Sequence, residues 1–495
     1  MNLLKELVFL YHLTSTRYID AFLPKGSKLR MLFDAVLNNQ VKDDDEAAKL
    51  IYKTSKGDKK YLMLKKNLIK KLTDLLLISK QKNDDGQTYD VIEFECRQEL
   101  VIADLLLKNN VYHNAERMVW KVIRKAESCH LNEIQLTCYR YLQMIYSLKG
   151  DPKATESYFS IIEDLQLLAK QEKTALSYWN IIRSQDKFFI SYSDEIQQTC
   201  TEYLSVLSPW ILQPQQAVFL EHYYLKIKLT AAYHSVDFNM YRSVINELNE
   251  LYKNNPCLAT QKHQLEYYLS SAIVEQLEGK LEIALQILDL CLDLSDYRSF
   301  DQFEVQSFRF DVLLKLRLEI EASNILKELK ECEQFEMLSP IDKAIWALKE
   351  AYLYYSASQS GKLEEIKENF IFFNKGLCIN QLHHHCKPIV KNKRGYNTQL
   401  QILNVLLKMH EGESDLYNES NNLKMYYIRH LKDSGDERTI TFVKFLYKAA
   451  QKYEANEGQQ FSIQEPMPSG YSPIEVIPYE HLVELINQKK RTLCP

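Results

Sequence analysis

At 495 residues, with only 12 glycines and 12 prolines, the chain is long enough for several domains or one long repeat array and is too poor in turn formers for a β-rich protein. Hydrophobic residues make up 46% and charged residues 26%, and a net charge of −4 excludes a globally basic nucleic-acid or membrane-surface binder. The charge is uneven, however: residues 1–80 hold 16 Lys and Arg against 9 Asp and Glu, so a basic head precedes an acidic body.

The opening MNLLKELVFLYHL has Glu6 inside what would be the apolar core of a signal peptide, and no cleavage pattern follows. No run approaches the length of apolar residues that a membrane span needs. Ten cysteines are scattered without a C-x-x-C, mostly inside apolar helical stretches such as those of Cys138, Cys200 and Cys291. That usage suits a reducing cytoplasm, and the expected location is cytoplasmic with no membrane contact.

In the head, residues 1–80, SKLRMLFDAVLNN places Leu29, Leu32, Phe33, Val36 and Leu37 on one helical face, with Ser27 as the N-cap. DDDEAAKLIY begins a second helix capped by Asp43, with Glu46 at the third position. Capping accounts for its acids better than a metal cluster does. A third helix after Asp58 aligns Tyr61, Leu64, Leu68, Leu72 and Leu75. On its opposite side lie Lys59, Lys66 and Lys70, flanked by Lys60 and Lys71. This stripe reads as a solvated face; the competing reading is a helix-turn-helix-like head whose five lysines touch nucleic acid. SKQKNDDGQTYDVIEF is too polar before its turn to make a convincing wing.

Across residues 88–454 the chain repeats itself. EGKLEIALQILDLC carries Gly279, Leu281, Ala284, Leu288 and Cys291, which resembles the turn and second helix of a tetratricopeptide repeat. The same offsets return as Asn110, Tyr112, Ala115, Val119 and Val122, and as Gly361, Leu363, Ile366, Phe370 and Phe373. A looser copy has Gly150, Phe159 and Ile162; others centre on Ala322 and on Phe238 with Ile245. The turn positions 110, 150, 236, 279, 317 and 361 step by about 40 residues, with one more copy expected near 191, longer than the tetratricopeptide period. Each helical pair buries its apolar face only by stacking on its neighbours, so the reading is an α-solenoid.

From Gly361 the next comparable turn, Gly412, comes 51 residues on, and the excess coincides with HHHCKPIVKNKRG, read as an insertion between helices. Cys378, His383, His384, His385 and Cys386 supply zinc-type donors, but three adjacent histidines cannot all turn to one ion and Cys386 has no C-x-x-C partner, so no metal is expected. Lys391, Lys393 and Arg394 precede Asn397, the expected cap of the next helix; Arg429 and Arg438 follow on later helices. Cations beside the N–H groups of a helix start favour an anionic group, so these six residues form the candidate anion or partner site. The bland version is an internal salt-bridge cluster, with Asp436 and Glu437 next to Arg438 as its carboxylates. Residues 455–495 read as a proline-rich extended connector followed by a capping helix, YEHLVELINQKK.

The chain lacks the phosphate-loop, dinucleotide, zincin and nucleophile-elbow motifs, and no residue argues for an enzyme or a cofactor. Its 32 tyrosines fall at helical spacing, as in AYLYY, and read as seam fillers rather than base-stacking platforms. The segments SKLRMLFDAV, DDDEAAKLIY, YLMLKKNLIKKL, KNKRGYN and VIPYEHLVELI resemble an uncharacterised bacterial family of long helical-repeat proteins, a likeness that implies a helical head fused to a repeat array and implies no activity. In architecture alone the chain is also similar to bacterial transcriptional activators with tetratricopeptide-like sensor domains. The expectation is therefore an all-α protein: a helical head, an α-solenoid of tetratricopeptide-like pairs and a capping tail. Its expected role is a non-enzymatic scaffold for a partner protein or peptide, with a nucleic-acid-binding regulator as the alternative.

Overall fold

The computed structural model describes residues 1–14, 19–38, 40–78, 88–189, 192–213, 217–295, 300–332, 335, 337–393, 395–411, 416–432, 436–453, 461–463 and 466–492. Those residues are all-α, with no strand among them, and the chain divides into two compact units, Met1–Lys149 and Gly150–Pro495.

The first unit begins with α1 (Asn2–Thr14), α2 (Ile19–Phe22), α3 (Lys28–Leu37), α4 (Asp44–Tyr52) and α5 (Lys59–Ile78). Local signals set their ends. Ser27 accepts from the Arg30 N–H, Asp43 accepts from the Asp45 and Glu46 N–H groups, and Glu46 reaches back to the Lys42 N–H. Leu32, Phe33, Tyr61, Leu68, Leu72 and Leu75 join Leu4, Val8 and Tyr11 in one core. The unit continues with α6 (Tyr89–Lys108), α7 (Tyr112–Ser128) and α8 (Asn132–Leu148), which pack in succession. Of the proposed wing, residues 79–87 lie outside the described residues, and its last part, from Tyr89, is helix.

The second unit runs α9 (Pro152–Phe189), α10 (Asp194–Ile211), α11 (Val218–His234), α12 (Phe238–Asn254), α13 (Gln261–Leu277), α14 (Leu281–Leu294), α15 (Phe300–Lys315), α16 (Glu319–Lys330) and α17 (Pro340–Ser360). It then continues through α18 (Leu363–Ile366), α19 (Ile379–Cys386), α20 (Tyr396–Glu411), α21 (Leu416–Tyr426), α22 (Glu437–Tyr453) and α23 (Tyr479–Thr492). Neighbours in sequence pack on one another from α10 to α17, as an array of helical hairpins does.

All six turn positions read from the sequence have left-handed backbone: Asn110, Gly150, Val236, Gly279, Arg317 and Gly361, with φ between 57° and 86°. At five of these helix ends, all but that at Gly150, the next residue's N–H returns to a carbonyl five residues back, as from Val111 to Leu106, Asp237 to Ala232 and Leu318 to Leu313, which closes the helix and reverses the chain. Val236 is the costly member, because a β-branched side chain disfavours φ 57°. A further turn of the same kind at His130, φ 53°, went unanticipated. Behind the turns the seam residues Ala115, Val119, Val122, Ala284, Leu288, Cys291 and Ala322 are fully buried.

Three expectations are corrected. Where the loose copy at Gly150 implied a helical pair, α9 is a single 38-residue helix, and its seam residue Phe159 is 56% exposed; the copy near 191 falls at residues 190–191, outside the described residues. HHHC is helix rather than loop: Leu382 and Cys386, one turn apart, anchor α19 inward, while the three histidines fan around its outer side. Gly412 lies outside the described residues. Finally, the copy at Gly361 keeps Ile366, Phe370 and Phe373 buried but abandons the helix after Ile366 for a 3₁₀ turn and an extended Phe370.

Glu350, fully buried in α17, explains that break. Its carboxylate accepts the N–H groups of Ile371, Phe372 and Phe373 at 2.9, 2.8 and 2.7 Å, giving three backbone donors a partner they would otherwise find in a helix. Burial pushes the carboxyl up to about 7, against the pull of these three donors. The folded state then holds this proton more tightly than the unfolded chain. The resulting stability is complete below the ordinary glutamate range and is lost as pH rises through about 7. In urea unfolding between about pH 4 and pH 8, the protein should lose on the order of 3 kcal/mol relative to a Glu350→Gln variant. Parallel pH profiles for the two proteins would contradict this assignment.

Candidate functional site

Several buried charged and polar groups of the second unit meet where α15, α17, α20 and α22 pack against the C-terminal segment. Arg438, in the first turn of α22, is 6% exposed. Its guanidinium donates two parallel bonds to Glu475, from Nε at 2.7 Å and Nη2 at 3.0 Å. It also donates to Glu480 at 3.0 and 2.6 Å and to the Pro468 carbonyl at 2.9 Å. Beside it Asp436 accepts from Ser472 Oγ at 2.6 Å and from Thr439 Oγ1 at 2.8 Å. Burial raises the Asp436 and Glu475 carboxyls above their ordinary range. The Tyr479 hydroxyl accepts from Gln399 Nε2 at 2.7 Å, and its ring stacks on Phe442 at 4.2 Å between centroids.

This network holds an extended stretch of chain in place. Residues 466–478 form no helix, yet Ser472, Ile474, Glu475, Val476 and Ile477 are about as buried as the core. The Tyr471 N–H donates to the Leu277 carbonyl at the end of α13, at 2.8 Å, and the Ser472 and Tyr479 N–H groups donate to Glu475. Gly470, with φ 86°, lies so close to α13 that a Cβ there would sit 2.2 Å from the Leu277 oxygen. The proline-rich connector is thus a packed strap.

Next to the strap opens a cleft of about 410 Å³ whose lining includes Gly279, Lys315, Arg317, Arg438, Tyr471 and His481. On its α15 side, Asp311 pairs with Lys349 at 2.9 Å, and Lys349, 1% exposed, also donates to Ser307 Oγ at 2.6 Å. Arg317 pairs with Glu484 at 2.6 Å. Lys315, 5% exposed, has no hydrogen bond or ion pair among the described residues; its Nζ lies 5.7 Å from the centre of the Tyr471 ring.

Among the described residues, those singled out in sequence lie in different surroundings. Lys391 and Arg429 are exposed, Lys393 is half-buried, and Arg394 lies outside the described residues. Asn397 does not cap: α20 begins at Tyr396, and Asn397 is buried with Nδ2 donating to the Tyr426 hydroxyl at 3.0 Å. Asn392 instead accepts the Gly395 N–H at 2.9 Å. Arg438 turns inward, and the carboxylates that occupy it are Glu475 and Glu480 rather than its neighbours Asp436 and Glu437. In the head, Lys59, Lys60, Lys66 and Lys70 are exposed, whereas Lys71 donates to the Phe22 carbonyl at 2.8 Å and so braces the fold. His383 bonds Asn404 at 3.1 Å and His385 packs edge-on against Phe372 and Phe373, so the histidines do not converge. Sequence reasoning missed Lys315, Lys349, Glu350 and Glu475. The available signal for the first three was ionisable residues inside helical runs apolar on every side, FRFDVLLKL and IWALKEAYLYY.

Gly470→Ala is expected to cost about 2 kcal/mol or more, because left-handed strain adds to a backbone clash that no rotamer relieves. Chemical denaturation checks this; a variant within about 0.5 kcal/mol of the parent would show that the strap does not need its close approach to α13.

No family model matches the chain, and no curated protein matches it. Among solved structures it is similar to the crystal structure of the TPR (tetratricopeptide repeat) domain of P58(IPK), at 14% identity, covering 72% of this chain and 99% of that one, with a TM-score of 0.18. So loose an overlay carries no argument; the all-α, helical-hairpin assignment stands on the helices and turns described above.

Proposed function

We propose that the chain is a non-enzymatic interaction scaffold that holds an extended segment of a partner protein or peptide on its helical-repeat array. The observation that carries this reading is the strap. The second unit already holds one extended polypeptide by backbone bonds at helix ends, a bidentate arginine–carboxylate pair and buried Ile474, Val476 and Ile477. Surfaces built from helical repeats suit such segments, because successive hairpins present the same kind of groove along their length.

We keep residues 1–80, 88–454 and 455–495 as the working division into head, array and tail. Lys391, Lys393 and Arg429 remain proposed contacts for an acidic part of the partner. The nucleic-acid alternative has no observation in its favour beyond four exposed lysines on one helix face, which solvation alone explains.

Selection of a random peptide library displayed on phage against the full chain tests the reading. We expect enriched peptides to share anchor positions, and photo-crosslinks from those peptides to fall on helices between α11 and α22. Failure to enrich any peptide, or crosslinks confined to the head, would overturn it. Binding to the array should also survive nuclease treatment and fall only modestly with salt, in contrast to phosphate-driven association with DNA.

A further inference from the structure

Lys315 is the last residue of α15, and at the cleft its ammonium makes no hydrogen bond or ion pair among the described residues. Four carboxylates of this region pair with other cations: Asp311 with Lys349, Glu475 and Glu480 with Arg438, Glu484 with Arg317. In the buried network around it, Lys315, Lys349 and Arg438 stand among Asp311, Glu475 and Asp436, and of these three carboxylates none bonds Lys315. The half-exposed Glu480 sits at the rim. The buried Asp311 Oδ1 has no hydrogen-bond partner and forms no ion pair with Lys315. Burying an ammonium without hydrogen bonds is costly, and the Tyr471 ring offsets only part of that cost. A second wall of the cleft brings His481, also buried, whose Nδ1 has no hydrogen-bond partner. Gly279 and Gly470 add backbone to the lining, and the exposed Ser469 adds a hydroxyl.

We infer that this cleft is a binding site for a single compact oxyanion, a phosphate group or a carboxylate, with Lys315 as its ion-pair anchor and His481 and Ser469 as further hydrogen-bonding groups. Such a ligand supplies the acceptor oxygens Lys315 lacks, and a charge-assisted bond in a mostly dry site is strong. Burial lowers the Lys315 pKa against the pull of Asp311 and Glu475, so a bound anion favours the charged form further. The site is separate from the peptide-holding role: an anion can bind here whether or not the array selects peptides.

The test is titration of the full-length protein with inorganic phosphate and, separately, with acetate, each at an ionic strength matched with chloride and read by calorimetry and melting temperature. Saturable binding of phosphate alone assigns a phosphate site, and binding of acetate as well assigns a general oxyanion site; both support the inference. Lys315→Met keeps the alkyl stem and removes a charge that no hydrogen bond holds, so it should fold. It is expected to weaken binding by about tenfold or more, whereas Lys327→Met, at an exposed position of α16, should leave binding unchanged. No saturable response to either anion beyond chloride, or a Lys315→Met protein that binds like the parent, overturns the inference.

Discussion

The second unit depends on one ion pair, the double bond between the Arg438 guanidinium and the Glu475 carboxylate, 7% and 0% exposed at their side chains. An extended segment inside a protein has no ladder of its own to satisfy its N–H and C=O groups, so each needs a partner from elsewhere. Glu475 takes the N–H groups of Ser472 and Tyr479 with the lone pairs Arg438 leaves free, and Arg438 takes the Pro468 carbonyl. The pair is therefore the frame on which residues 466–479 are strung. Removing either partner strands the other charge in a dry site, at a cost of about 3–5 kcal/mol.

Apolar seams between helical hairpins are permissive, because a leucine face packs against almost any other leucine face. Buried charges are selective. Lys349 finds its acceptors, Asp311 and Ser307, only where α15 and α17 are in one register, and Glu319 meets Ser356 and Lys362 only where α16 and α17 are. Glu350 performs the same task for a stretch that leaves the helix, tying residues 371–373 back to α17. These groups cost desolvation and return a defined arrangement, within which the strap has one seat and the cleft beside it one shape.

Much of the fold was legible in the sequence because its determinants are local. A helix must end in a left-handed residue to reverse tightly, and the seam residues that follow at fixed offsets reveal that position even where it is Asn110 or Arg317 rather than glycine. The caps at Ser27 and Asp43 lie within three residues of their partners. Helix α9 was misjudged because Gly150 offered a turn signal and nothing later in the stretch did: from Lys153 to Phe189 there is neither glycine nor proline, which is the pattern of one uninterrupted helix. The site was far less legible. Arg438 was visible as a cation, but its carboxylates lie 37 and 42 positions away, and only the fold brings them together. The charges inside FRFDVLLKL and IWALKEAYLYY announce a buried network without naming its members, since partners such as Ser307 for Lys349 are set by packing rather than by spacing along the chain.

The most direct measurement of the strap's role is backbone hydrogen exchange of the full chain, followed by mass spectrometry across residues 466–479, in the parent and in Arg438→Met. The account predicts that this segment, though not helical, exchanges as slowly in the parent as α13 and α17. In the variant the segment should lose its protection while those helices keep most of theirs. Fast exchange of the segment in the parent protein, or unchanged protection in Arg438→Met, would contradict the claim that a buried ion pair holds an extended polypeptide against the array.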